Sequence, residues 1–98
     1  MLLNNKQIKY LKSLAVNIQP KYQIGKNEVT DNTLELLDKA LNKNELIKVS
    51  VNTSVKEEKV EFANKIAEAL NCEIVQIVGN NITLFKKNLK DGTIHLPN

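Results

Sequence analysis

The sequence contains no arginine: all 14 basic residues are lysine. No guanidinium fork can therefore grip a phosphate bidentately or read a guanine edge, and an anionic partner must be met by ammonium point charges. Cysteine and histidine are almost absent. Cys72 stands alone, so no internal disulfide can form, and with His95 as the only histidine a zinc centre of Cys and His is nearly excluded. No metal and no cofactor is expected. No apolar run approaches the roughly 20 residues of a membrane helix. The opening Met1-Leu2-Leu3-Asn4-Asn5-Lys6 lacks the apolar core and cleavage site of a secretory signal. A cytoplasmic location is the expectation. P-loop and dinucleotide fingerprints are missing as well. The acids Glu57, Glu58 and Glu61 fall at a helix start and on its outer face, where they complement the dipole and face water. His95 has no recognisable nucleophile beside it. The chain is not expected to be an enzyme.

What is present is a chain of 98 residues with a net charge of +3, read as a single domain over 1–98. The modest net charge hides an asymmetry. Residues 1–27 carry Lys6, Lys9, Lys12, Lys21 and Lys26 and no acid. Residues 74–98 set Lys86, Lys87 and Lys90 against Asp91, while the middle is net acidic. Basic ends around an acidic middle predict one positive face if the fold joins those ends. A solvated lysine surface without a partner is the alternative.

Periodicity predicts the order α-β-α-β-α-β-β. Ile8, Leu11, Leu14 and Ala15 share one face of a helix over 5–15, with Asn4 or Asn5 as cap and the lysines turned away. Residues 21–24 alternate as a short strand after Pro20. A second helix, 31–43, is capped by Thr30 or Asp31 and buries Leu34, Leu37, Ala40 and Leu41. A strand over 45–51 follows, with Ile47, Val49 and Val51 inward. A third helix, 55–71, is predicted to open on a Ser54–Glu57 capping box and to bury Val60, Ala63, Ile66, Ala67 and Leu70, with Phe62 at the border. Residues 73–78 and 82–86 form a hairpin about Gly79-Asn80-Asn81. Alternating strands and helices imply a parallel pair, and the hairpin an antiparallel one. The expected fold is an α/β two-layer sandwich with a four-stranded mixed sheet. The tail could add an edge strand, although Gly92 and Pro97 weigh against it. Cys72 reads as a small buried hydrophobe.

The segment most suggestive of binding is Gly25-Lys26-Asn27-Glu28, between the first strand and the second helix. Glycine allows a sharp turn and close backbone approach, and the helix start offers unpaired N–H groups to a phosphate. A GxxG loop in this position clamps an RNA backbone in KH-type domains. Here Glu28 replaces the second glycine, and Glu28 and Asp31 would repel phosphate. From spacing alone, an ordinary strand-to-helix turn is the stronger reading.

Several segments, taken in order, resemble the CRM-domain (YhbY-type) family. Lys6-Gln7 with Leu11, Leu14 and Ala15 is similar to the opening helix. Pro20 followed by Ile24-Gly25-Lys26-Asn27 resembles the loop approach. Ala40-Leu41 with Glu45-Leu46-Ile47-Lys48-Val49 resembles the most recognisable stretch. Val75-Gln76-Ile77-Val78-Gly79 and Leu84-Phe85-Lys86 are similar to the closing hairpin, and Ile94-His95-Leu96-Pro97 to the end of the stand-alone bacterial members. The resemblance implies a fold similar to the C-terminal domain of bacterial translation initiation factor three. It also implies binding to structured ribosomal RNA and a role in large-subunit assembly. Three departures stand out: Glu28 in the GxxG-like loop, Lys86 where many relatives carry arginine, and Val16 where many carry histidine.

The candidate RNA contacts are Lys6, Lys9, Lys12, Gly25, Lys26, Asn27, Lys86, Lys87 and Lys90, converging on one lysine-rich face whose spacing lets RNA shape select the site. Aromatic stacking has little to draw on. Of Tyr10, Tyr22, Phe62 and Phe85, Tyr22 is assigned to the core, and Tyr10 and Phe85 are the two that could be exposed, Phe85 beside Lys86. The alternative function is a protein-interaction module. It would dock a basic protein through the acidic outer face formed by Glu35, Asp38, Glu61 and Glu68, without touching RNA.

Overall fold

The computed structural model describes residues 3–25, 29–88, 90, 92 and 94–97. Its elements follow the expected order: α1 (Asn5–Ala15), β1 (Tyr22–Gly25), α2 (Asp31–Asn44), β2 (Leu46–Asn52), α3 (Lys56–Leu70), β3 (Glu73–Val78) and β4 (Asn81–Phe85). The strands form one sheet in the order β1-β2-β4-β3. β1 runs parallel to β2, and β4 is antiparallel to both β2 and β3. The fold is thus the expected α/β sandwich with a mixed four-stranded sheet. The described tail residues add no strand, and no helix among the described residues is long and apolar enough to cross a membrane.

Local chemistry accounts for most boundaries. Asn4 caps α1 through a reciprocal box. Its Oδ1 accepts from the Gln7 amide at 2.8 Å and the Gln7 Oε1 accepts from the Asn4 amide at 3.0 Å. Thr30 caps α2, accepting from the Thr33 amide at 3.3 Å. The capping box expected at Ser54–Glu57 does not form. The N-cap of α3 is Val55, with no side-chain cap bond. Thr53 takes the role from one residue earlier: its hydroxyl accepts from the Val55 amide and donates to Glu58 Oε2 at 2.6 Å. That Thr-turn sets the entry angle of α3. Asn71 closes the helix in the left-handed region at φ 54°.

Both faces of the sheet carry apolar side chains, at different places. Ile47, Val49 and Val51 of β2 and Ile82 and Leu84 of β4 pack against α2 and α3. By strand alternation Leu46 and Phe85 point the other way, where with Val75 they meet Leu11 and Ala15 of α1. A register shift between Ile74 and Gln76 lets β3 serve both sides, Ile74 and Ile77 inward and Val75 outward. The sheet with α2 and α3 makes the two-layer core, and α1 adds a partial third layer over one end. Ile94 and Leu96 from the tail pack into that smaller cluster.

Two core assignments are corrected. Phe62 is buried and Val60 is exposed, because rotating α3 to bury a phenyl ring removes more apolar area from water than burying a valine. Phe85 has no exposed surface. Its strand partner Leu46 and α1 enclose it, so it is core and not part of a stacking surface. Tyr22 packs on the main core, as expected.

Cys72 is buried, and desolvation pushes its thiol from 9.0 up to about 11, with nearby Lys86 acting in the opposite direction. In the unfolded chain the thiol ionises earlier, so the unfolded state loses its proton first as pH rises. The stability that the neutral buried thiol contributes is complete below pH 9 and declines between about 9 and 11. Urea unfolding of the wild type and Cys72→Ala across this window should show a steeper decline in the wild type. Parallel curves would contradict the assignment.

Candidate nucleic-acid interface

α1 is an unusual surface helix in having cations and no acid. Its buried stripe of Leu11 and Ala15 leaves Lys6, Lys9 and Lys12 on the outer side, all exposed. Successive lysines three residues apart form a stripe along the helix. The helix is held at both ends: its N-terminus is boxed by Asn4, and Gln7 Nε2 donates to the Pro97 carbonyl at 3.1 Å. Leu14 and Ile18 anchor its C-terminal end in the smaller core. Three ammonium groups are thus carried on a fixed rod.

Gly25 is the last residue of β1 and pairs with Asn52 at the far end of β2. Lys26, Asn27 and Glu28, and with them the GxxG-like loop, lie outside the described residues. Gly25 shares the α1 side of the sheet, since its neighbour Ile24 faces the main core. Lys90 is exposed, its amide donating to Asn88 Oδ1 at 3.0 Å.

Lys86 and Lys87, expected to neutralise phosphates on this face, are both ion-paired within the protein. Lys86 reaches across the opposite layer and pairs with Asp38 of α2 at 3.0 Å. Lys87 lies 3.3 Å from Glu45 Oε2, and its ammonium also donates to the Ile94 carbonyl. Both cations are engaged by partly or fully buried carboxylates. Phe85 pairs with Leu46 and Gly25 with Asn52, so these lysines and Gly25 sit at opposite ends of β2, roughly 20 Å apart at about 3.3 Å per residue. Asp38, expected on a solvated acidic face, is the partner of Lys86 instead.

The α1 side of the sheet beyond α1 went unnoticed in the sequence. Gln23, Lys48, Ser50 and Asn52 project there, in the alternation that turns Ile24, Ile47, Val49 and Val51 inward. Gln23, Ser50 and Asn52, with Gly25 and the Asn80 turn, bound a polar crevice of about 370 Å³. The period-two pattern of Leu46–Asn52 does carry this signal. What it cannot say is whether another element covers the outward residues.

The site is that of a small binding domain: a cationic helix laid against one end of a sheet, with an open polar sheet face leading to a strand-to-helix loop. The chain belongs to the CRS1 / YhbY (CRM) domain family, whose model matches residues 3–86. It is 36% identical over 96 residues to the "Probable RNA-binding protein YqeI" of Bacillus subtilis, covering 98% of this chain and 100% of that one. An "RNA-binding protein" of Haemophilus influenzae is 34% identical over 95 residues, 97% of this chain and 95% of the relative. The solution structure of the hypothetical protein SAV1595 from Staphylococcus aureus matches at a TM-score of 0.84 and 38% identity, covering 98% of this chain and 100% of that chain.

Proposed function

We propose that this protein binds structured RNA of the large ribosomal subunit or its precursors, in the cytoplasm, and assists assembly of that subunit. The observation that carries the reading is the acid-free lysine stripe of α1, fixed at both ends. The names of the relatives, RNA-binding proteins in two organisms, support RNA as the partner. Lys6, Lys9 and Lys12 would neutralise phosphates, with Gly25, Lys26, Asn27 and Lys90 extending the contact. Lys86 and Lys87 would serve indirectly, by holding the tail and α2 in place. No bond is made or broken; rigid spacing of charge matches the fold of the RNA.

Crosslinking the protein to RNA in cells and mapping both partners tests this. Adducts are expected on α1 peptides and on large-subunit RNA. Adducts confined to other RNAs would overturn the assembly role. If the protein instead docks on a basic protein through α2 and α3, it should stay on ribosomal particles after exposed RNA is trimmed. The loop yields a separate prediction. Glu28→Gly removes a repelling carboxylate from a helix start and should tighten RNA binding roughly two- to fivefold, measurable by filter binding. Weaker binding by a folded variant would contradict it.

A further inference from the structure

Beside the lysine stripe, where α1 ends and β1 and β2 begin, lies a cavity of about 490 Å³. That is within the size range of small-molecule sites, about 300–1,000 Å³. Its apolar wall includes Leu14 from the last turn of α1, Ile18 just beyond the helix, Leu46 at the start of β2 and Ile94 from the tail. Asn17 and Asn44 bring amides to the lining, and Lys21 and Lys48 bring two ammonium groups. Among the described residues no carboxylate lines it, and neither lysine has an ion-pair partner there.

This combination restricts the occupant. Two cations without an acid call for an anion. An aliphatic wall calls for an apolar face, and amides carry both donors and acceptors for the edge of a polar ring. A lipid would leave the amides unused, and a bare phosphate would leave the wall unused. A nucleotide uses all three. Leu14 of its wall is two residues beyond Lys12, so a backbone tracking the α1 lysines runs toward the cavity. A base within a duplex is stacked and cannot enter, whereas an unpaired base can be splayed out.

We propose that this cavity takes one unpaired nucleotide of the bound RNA, its base between Leu14, Ile18 and Ile94 and its phosphate between Lys21 and Lys48. The proposal rests on the RNA-binding reading above and adds to it a preference for a bulged or looped site over a continuous helix. Sequence preference would come from Asn17 and Asn44 at the base edge.

The experiment compares an RNA hairpin carrying a single-nucleotide bulge with the same hairpin fully paired. The wild type, Ile18→Trp (which fills the cavity) and the surface double variant Lys21→Gln/Lys48→Gln are tested. The wild type should favour the bulged RNA at least fivefold. Both variants should lose that preference while keeping affinity for the paired RNA. Amide spectra with AMP, UMP or inorganic phosphate provide a second reading. Shifts at Asn17 and Ile94 with the nucleotides but not with phosphate are expected. Equal affinity of the wild type for the two RNAs, or identical shifts with phosphate alone, would overturn the cavity assignment and leave RNA binding intact. Failure to bind either RNA would overturn both readings.

Discussion

Glu45→Gln should lower the unfolding free energy by about 3 kcal/mol, in the range observed when one partner of a buried ion pair is removed. Glu45 is only 1% exposed, although it is charged. Its carboxylate accepts from the Asn88 amide at 2.8 Å and the Ile94 amide at 2.9 Å, and lies 3.3 Å from Lys87 Nζ. Its own carbonyl accepts from the Lys86 amide at 2.8 Å. Glutamine has nearly the same shape but replaces one acceptor oxygen with a donor. That donor would face an N–H group, and Lys87 would lose its counter-charge in a half-buried setting. The backbone strengthens the case. Glu45 sits at φ 64°, where glycine is at ease and a side chain is strained. The bonds made by the carboxylate offset that strain.

The effect reaches the interface, because Glu45 is the point to which the tail is tied. The tail turns so close at Gly92 that a Cβ there would lie 2.9 Å from Glu45 Oε2 and collide with the Asn88 carbonyl. Beyond that turn, Ile94 and Leu96 cover the cluster under α1, and the Pro97 carbonyl holds Gln7. Urea unfolding should show the loss of stability, and hydrogen exchange should show the Asn88 and Ile94 amides opening first. A change under 1 kcal/mol with those amides still protected would mean that the clamp is incidental.

The second large effect is on RNA. Lys6→Gln, Lys9→Gln and Lys12→Gln combined should weaken binding at least tenfold and flatten its salt dependence. Each phosphate contact adds about 0.7–0.9 to the slope of log K against log salt, so losing three should reduce it by roughly 2–3. Stability should scarcely change, since exposed substitutions of this kind lie within about 0.5 kcal/mol each. Lys86→Gln is the contrasting variant. It breaks a pair with Asp38 whose side chains are 29% and 39% exposed, worth about 0–1 kcal/mol after solvent screening. It should leave the salt slope unaltered. Equal slopes for the wild type and the triple variant would remove α1 from the interface. A Lys86 effect as large as that of the triple variant would return that lysine to it.

Much of this protein was legible in the linear sequence because it depends on short-range regularities. Helical spacing of Leu11 with Ala15 and of Leu37 with Leu41, alternation in Ile47-Lys48-Val49, and the Gly79 turn are all encoded within a few residues. Each follows from the geometry of one element. Where sequence reading erred, several local solutions competed. The cap of α3 could be drawn from Ser54 or Thr53, and either Val60 or Phe62 could border its buried stripe. Only packing against the sheet distinguishes them.

The sequence by itself determined the supply of charge, lysine only and acid-free in the first helix, and hence the kind of anion contact that is possible. The tertiary structure alone decided where that charge goes. Lys86 and Lys87 look equivalent to Lys9 and Lys12 in one dimension. The fold sets Lys86 beside Asp38 of α2 and Lys87 against Glu45 and the Ile94 carbonyl of the tail. The physical reason is that a Coulomb interaction falls off with distance in space and is indifferent to separation along the chain. Only the folded arrangement could pair residues more than forty positions apart and leave the α1 stripe free for a partner.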